Sequence, residues 1–251
     1  MKVLALMLSV CSMAACGLEQ EGQIDGDAVA ADEQSIIGGN TDNGDPCVVA
    51  VFAARNLTST DGSLCTGTVI GPHTVLTAAH CLAAQPLGTI QVISILSGTT
   101  ATLPGIVASS FMFDPSWNPN DLFSGHDIGV VHTTNTLPFP VCGRGAVNTS
   151  LLVRLVGYGS NTHADTGAGT KRQVTTNIVD FDDLLILDGN SNQQTCHGDS
   201  GGPAFQTING QEVVVGVTSF GSDRSLTSVC FDGAFHDRVD AFATFINANT
   251  N

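Results

Sequence analysis

Basic residues are scarce in this chain. Among its 251 residues, 8 Lys and Arg stand against 23 Asp and Glu, and the formal net charge is −15 at pH 7. Nucleic-acid-binding domains need basic patches that neutralise phosphates, so we expect no nucleic-acid partner. The histidines also lack the spacing of a zinc site such as HExxH, and we expect neither a metal nor an organic cofactor.

The N-terminus lacks an apolar run long enough to span a membrane. The run Val3–Val10, which follows Lys2 and precedes small residues, is typical of a secretory signal peptide. We therefore expect residues 1–15 to be a signal peptide and the mature chain to be secreted. Residues 13–16 also resemble a bacterial lipoprotein signal, so two alternatives stay open: plain cleavage, or a lipid on Cys16 that anchors the chain at the cell envelope.

Residues 16–35 have few apolar side chains. They carry six acidic residues and no basic one. A segment of this composition does not bury enough apolar surface to fold, so we predict a solvated propeptide or tether. The folded part of the chain is then expected to cover residues 36–251.

Short apolar or β-branched runs, separated by turn residues, fill this folded part. Such runs are typical of small antiparallel barrels. They are Val48–Ala54, Thr66–Ile70, Thr74–Ala78, Ile90–Ser97, Ile106–Met112, Ile128–Thr133, Leu151–Val156, Arg172–Asp180, Leu184–Leu187, Pro203–Thr207, Glu212–Ser219 and Gly233–Phe235. We predict an all-β fold of two packed six-stranded antiparallel β-barrels, at about residues 36–140 and 141–251. Apolar residues at helical spacing predict a C-terminal α-helix over Arg238–Asn247.

Six cysteines follow residue 36, and an even number in an exported protein indicates disulfides. They are Cys47, Cys65, Cys81, Cys142, Cys196 and Cys230. Six cysteines pair in fifteen possible ways, and the sequence pattern alone does not choose among them.

The run CHGDSGGP, Cys196–Pro203, holds a serine in a turn rich in glycine. Glycine reaches backbone angles that other residues avoid, so this run is able to bend sharply and aim successive N–H groups inward, as an oxyanion hole requires. The Ser200 hydroxyl needs a base to become a nucleophile, and the base needs an orienting acid. His80 ends the run LTAAHC, and Asp127 lies in HDIGVV. The chain order His80, Asp127, Ser200 is a known order of the Ser-His-Asp triad.

Six motifs together resemble those of the chymotrypsin-like (trypsin family) serine proteases. They are IIGG at 36–39, LTAAHC at 76–81, HDIGVV at 126–131, GYG at 157–159, GDSGGP at 198–203 and TSFG at 218–221. The resemblance implies a chymotrypsin-like fold and a secreted serine endopeptidase that acts on proteins or peptides, which we expect to be a monomer. The alternative is a protease-fold protein that has lost catalysis and serves as a binding or adhesion module.

The resemblance also assigns the catalytic roles. His80 takes the proton of Ser200 as that oxygen attacks a peptide carbonyl, which leads to an acyl-enzyme, and Asp127 orients the imidazole. The N–H groups of Gly198 and Ser200 form the oxyanion hole. Ser219 supports the aspartate.

A set of substrate-binding residues follows from the same resemblance. They are Gln194, Thr195, His197, Ser219, Phe220, Gly221 and Gly233. Gln194 stands at the base of the primary pocket, where trypsin-like enzymes have aspartate, and Gly221 and Gly233 leave room at its walls. We expect large apolar or neutral polar side chains to be preferred over Lys or Arg, with Asp223 and Asp232 as complications.

The resemblance narrows the disulfide pairing as well. It implies a Cys65–Cys81 bridge beside the catalytic histidine and a Cys196–Cys230 bridge beside the specificity pocket. It leaves Cys47–Cys142, a pair that departs from the best-known bridges of the family.

Cleavage before Ile36 is the last property that the resemblance implies. The cut frees an amine that enters the protein and forms a buried ion pair with Asp199, so the chain is expected to be a zymogen. The residue before the cut is Ser35, and the only Lys or Arg upstream is Lys2. We therefore expect an activating protease whose specificity is not trypsin-like. If Cys16 carries a lipid, this cut also releases the protein from its membrane.

Overall fold

The computed structural model describes residues 36–83, 92–162, 166–189, 193–221, 230 and 233–251. The predicted signal peptide, the tether with Cys16 and Ser35, and residues Asp223 and Asp232 lie outside this description. β-Strands are the main element in the described residues. They are β1 (Asn40–Thr41), β2 (Val48–Ala54), β3 (Gly62–Gly71), β4 (Thr74–Thr77), β5 (Val92–Leu96), β6 (Ile106–Val107), β7 (Ser110–Phe113), β8 (Gly129–His132), β9 (Gly143–Arg144), β10 (Val153–Gly157), β11 (Arg172–Thr176), β12 (Ile178–Phe181), β13 (Leu185–Asp188), β14 (Pro203–Ile208), β15 (Gln211–Gly221) and β16 (Ala234–Arg238).

One α-helix, α1, covers Ala243–Ala248 near the C-terminus of the described chain, and a 3₁₀ turn covers Leu122–Ser124. The strands form two sheets. The first has the order β6-β5-β2-β3-β4-β8-β7, and the second has the order β1-β11-β10-β14-β15-β16-β13-β12, with β9 beside β15. All pairs are antiparallel except β9 with β15. The predicted all-β fold with a short C-terminal helix is confirmed.

No helix in the described part of the chain is long and apolar enough to cross a bilayer.

The two sheets contain seven and nine described strands rather than six each. Two predicted runs each divide in two, into β6 with β7 and into β11 with β12, while the two-residue strands β1 and β9 join the second sheet. The helix begins at Ala243 rather than Arg238, because Ala234–Arg238 is strand β16, paired with both β13 and β15. Pairing on both sides thus outweighs the local helical spacing at Arg238.

A shared apolar core joins the sheets. One buried cluster combines residues of the first sheet, the second sheet and α1, among them Val51, Val75, Phe205, Val217 and Ile246. Tyr158, which follows β10, is fully buried, and its hydroxyl donates to the carbonyl of Gly98 at 2.7 Å. This core fixes the positions of the loops that leave both sheets at their junction.

Three disulfides are present in the described residues. They join Cys47 to Cys142, Cys65 to Cys81 and Cys196 to Cys230, with Cα separations of 5.8, 6.2 and 5.0 Å. The second connects β3 to the segment after β4, and the third anchors the start of the serine loop. Disulfides of this kind persist in oxidising compartments outside the cytoplasm.

Candidate active site

The register between β4 and β8 brings His80 and Asp127 together. Thr77 lies opposite Gly129 in this antiparallel pair. The residues that follow Thr77 and those that precede Gly129 therefore leave the sheet at the same edge. His80 and Asp127 lie in these two segments, only three and two residues from the paired positions.

Both carboxylate oxygens of Asp127 accept hydrogen bonds. The backbone N–H of His80 donates to Oδ1 at 2.8 Å, and the ring Nδ1 lies 2.6 Å from Oδ2. The hydroxyl of Ser219 donates to Oδ2 at 2.5 Å. Burial alone would raise the pKa of Asp127, but the hydrogen bond and charge of His80, followed by the Ser219 hydrogen bond, lower it below its ordinary value. The charged carboxylate fixes Nδ1 as the donor, so Nε2 is left as the basic nitrogen.

Ser200 lies close to this pair. The Sγ atom of Cys81 is 3.7 Å from His80 Nε2 and 3.7 Å from the carbonyl oxygen of Ser200. These two contacts place Cys81 between the His80 ring and the backbone of the serine loop. The cluster of Cys65, His80 and Cys81 offers no thiolates to a metal, because the two sulfurs form a disulfide.

Glycine and Thr66 shape the serine loop. Gly198 and Gly201 have φ values of 97° and 81°, which favour glycine. Thr66 holds the loop from the first sheet: its hydroxyl donates to the carbonyl of Gly198 at 2.8 Å, and its N–H donates to the carbonyl of Ser200 at 2.8 Å. Within the described residues, the N–H groups of Gly198 and Ser200 donate to no acceptor. These two donors remain available to a substrate oxygen.

Asp199 is fully buried behind Ser200. Its Oδ1 accepts the N–H of Gly159 at 2.7 Å, and its Oδ2 accepts the N–H of Cys196 at 2.9 Å. A Cβ atom at Gly157 or Gly159 would collide with this carboxyl group, which explains why the GYG motif has glycine at both positions. Burial raises the pKa of Asp199 to about 7, although the two N–H groups and the charge of Arg172 oppose the shift.

Ile36 is buried in a different setting. It packs with Val153, Leu155 and Val174 in the core of the second sheet, and its carbonyl accepts the N–H of Gly39 at 2.7 Å. Its nitrogen is part of a peptide bond in this uncut chain, so it provides no ammonium group to Asp199. The described contacts of Asp199 do not include Ile36.

Gln194 is fully buried at the predicted primary pocket. Its Nε2 lies 3.4 Å from the carbonyl of Cys230, and its Oε1 has no hydrogen-bond partner among the described residues. Gly221 is the last residue of β15 and pairs with Ala234. A Cβ atom at Gly233 would collide with the carbonyl of Asp188. Of the other predicted substrate-binding residues, Thr195 and Ser219 are buried, Phe220 is half-buried and His197 is exposed.

A cleft of about 340 Å³ opens beside His80. Its walls come from Trp117, Pro119 and Leu122 on one side and from Phe220 on the other. The irregular excursion between β7 and β8 thus lines the space next to the histidine.

Three features of the site were not predicted. Thr66, which clamps the serine loop, follows a cysteine and has no sequence signal of its own. Gly157 and Gly159 were identified only as a motif, without their contact to Asp199. Asp237 is a buried acid next to Asp127; its strand β16 has the sequence AFHDR, in which no local pattern distinguishes the aspartate.

Comparisons with known proteins agree with this geometry. The Trypsin family model matches residues 36–246. Chymotrypsin-like elastase family member 1 of Bos taurus is 29% identical over 209 residues, which cover 73% of this chain and 77% of the relative. Trypsin, alkaline C, of Manduca sexta is 30% identical over an alignment of 253 positions that covers 89% of this chain and 94% of that protein. The chain therefore belongs to the trypsin family and is a serine-type endopeptidase of chymotrypsin-like fold.

Proposed function

We propose that this endopeptidase cleaves peptide bonds with Ser200 as nucleophile, His80 as general base and Asp127 as the group that orients His80. The observation that carries the proposal is the pair of contacts from His80 to Asp127, at 2.6 and 2.8 Å, beside the serine loop. His80 accepts the Ser200 proton as the oxygen attacks the peptide carbonyl, and it returns that proton to the leaving amine. Water then hydrolyses the acyl-enzyme by the same route.

In this proposal the N–H groups of Gly198 and Ser200 bind the oxyanion of the tetrahedral intermediate. An oxyanion-hole donor contributes about 3 to 4 kcal/mol to the transition state of comparable enzymes. The proposal is supported by the two N–H groups, which have no acceptor among the described residues, and by the clamp from Thr66 to Gly198.

Activation is proposed to follow cleavage before Ile36. The new ammonium group pairs with Asp199, whose buried carboxyl group accepts two N–H groups from the described residues of the uncut chain. A buried charge without a counter-ion is costly, so the ion pair stabilises the active arrangement of the loop. Because Ser35 precedes the cut, the activating protease is proposed to differ from trypsin in specificity.

The primary pocket is proposed to accept large apolar or neutral polar side chains rather than Lys or Arg. Gln194 provides an uncharged Oε1 that has no hydrogen-bond partner in the described part of the chain and does not neutralise a buried cation. The protein is proposed to be exported, since its three disulfides suit an oxidising compartment. The chain is proposed to be either secreted after plain signal cleavage or anchored at the cell envelope through a lipid on Cys16 until activation, and to be a monomer.

Labelling with a fluorophosphonate tests the nucleophile directly. The chain is prepared with Ile36 as its first residue, next to a Ser200→Ala variant and a Ser150→Ala variant that removes an exposed serine. We expect labelling and peptide hydrolysis in the wild type and in Ser150→Ala, and neither in Ser200→Ala. Labelling that survives Ser200→Ala would refute the triad, and absence of labelling in the wild type would favour a catalytically silent binding or adhesion module. Strict cleavage after Lys or Arg in a peptide library would refute the proposed pocket.

A further inference from the structure

A second buried carboxyl group lies directly behind Asp127. Asp237, in strand β16, is fully buried, and its Oδ1 accepts the backbone N–H of Asp127 at 3.2 Å. Its Oδ2 is buried without a hydrogen-bond partner among the described residues. The position of Asp237 is fixed by sheet pairing, because it lies opposite Val217 of β15 and Leu185 of β13.

The turn that Asp237 contacts has an unusual backbone. His126 has a φ of 70° and Gly125 a φ of 67°, both in the left-handed region. A residue other than glycine adopts this conformation at a cost that the surroundings must offset. The N–H groups of His126 and Asp127 both donate hydrogen bonds to the carboxyl group of Asp237. A Cβ atom at Gly125 would lie 3.3 Å from Oδ1 of that group. The turn therefore packs closely against this carboxyl group and against Leu184.

The surroundings of Asp237 disfavour its charged form. Burial raises its pKa well above the ordinary value, and the nearby charge of Asp127 raises it further, against the opposing effect of the hydrogen bonds. The side chain of Ser219 also faces this carboxyl group and opposes the rise of its pKa. The neighbouring titratable groups have other partners: His236 faces Asp188, and Arg238 pairs with Asp240.

We propose that Asp237 is a positioning residue for the catalytic triad: its carboxyl group accepts the N–H groups of the turn that ends at Asp127 and thereby orients Asp127 towards His80. This inference rests on the proposed function, because it assigns Asp127 its catalytic role. Asp237 acts only through Asp127 and touches neither substrate nor the reacting atoms.

Three variants in the activated chain test the inference. Asp237→Ala removes the acceptor, and Asp237→Asn keeps an uncharged acceptor of the same shape. Asp240→Ala is the matched control, because it removes a nearby carboxylate that pairs with Arg238 instead. Active sites are titrated so that kcat refers only to folded, competent enzyme, and kcat/KM is followed over pH.

We expect Asp237→Ala to lower kcat per active site about 10- to 100-fold with KM little changed, because a misaimed base slows chemistry rather than binding. Asp237→Asn is expected to stay within about 3-fold of wild type and to keep the acid limb of its pH profile, since no charge is lost. Asp240→Ala is expected to match wild type.

Several results would overturn the inference while leaving the triad intact: full kcat in Asp237→Ala, equal losses in the Asn and Ala variants, or an acid limb that moves to lower pH in Asp237→Asn. If Asp237→Ala does not fold, the Asn variant and its pH profile decide alone. A wild-type chain that is neither labelled at Ser200 nor hydrolytic refutes the proposed function together with this inference.

Discussion

Two buried carboxyl groups of the site differ in what compensates their charge. Asp127 receives hydrogen bonds from the backbone and ring of His80 and from Ser219, and its pKa is held below the ordinary value. In the described residues Asp199 receives two backbone N–H groups and the charge of Arg172, and burial still raises its pKa to about 7. The hydrogen bonds of Asp127 thus outweigh the effect of burial on its pKa, whereas the described partners of Asp199 do not.

The difference follows from how the chain provides partners. The register between β4 and β8 places His80 next to Asp127 once the first sheet has formed. The cradle of Asp199 is made of Gly157 and Gly159, which leave room for a carboxyl group and contribute no side-chain donor. In our proposal, activation supplies the missing partner from Ile36 and leaves the His80–Asp127 pair as it is.

The largest expected effect comes from replacing Asp127, whose hydrogen bonds to His80 are already formed in the uncut chain. Asp127→Asn in the activated chain should lower kcat roughly 10⁴-fold, because an amide favours the wrong tautomer of His80. Active-site titration and steady-state hydrolysis measure this, with the exposed Asp61→Asn as control. A variant that keeps more than about a tenth of wild-type kcat would contradict the role of Asp127.

A smaller effect is expected on stability, with opposite signs for the two acids. The pKa of Asp199 is raised in the folded state, to about 7 from an ordinary 3.8, so the folded uncut chain binds more protons than the unfolded chain between these values. Its contribution to the free energy of unfolding therefore falls as pH rises from about 4 to 7, by on the order of 4 kcal/mol. The lowered pKa of Asp127 gives a contribution that is present above the unfolded pKa and is lost as pH falls.

Urea unfolding of the uncut Ser200→Ala chain at a series of pH values, with and without Asp199→Asn, isolates the Asp199 contribution. The Asn variant should lose the decline between about pH 4 and 7, because no proton is exchanged at that position. An identical pH dependence in both chains would show that protonation of Asp199 does not cause the decline in the free energy of unfolding.

Much of the fold was predictable because buried strands of five or more residues show their pattern locally. The run Arg172–Asp180 was predicted as one strand, but the structure divides it into β11 and β12, which pair with different neighbours. The two-residue strands β1 and β9 have no period to detect. The predicted start of the helix at Arg238 is wrong, because this residue pairs across the sheet as part of β16. Local apolar spacing does not report such pairing.

The residues of the site also fall into those that a local sequence pattern predicts and those that it does not. The predicted catalytic residues lie in motifs whose local composition already indicates their chemistry, as in the glycine-rich turn around Ser200. Thr66 and Asp237 act through contacts across 132 and 110 positions of the chain, to Gly198 and Asp127. No local pattern reports such a contact, so only the folded arrangement of the sheets identifies them.

The most direct measurement compares the rate of fluorophosphonate labelling in three chains: the uncut protein, one cut to begin at Ile36, and one cut to begin at Ser35, which has an ammonium group displaced by one residue. The account predicts labelling at least about 100-fold faster in the chain that begins at Ile36, because only its amine reaches Asp199 and fixes the oxyanion donors. Equal rates in all three chains would contradict it.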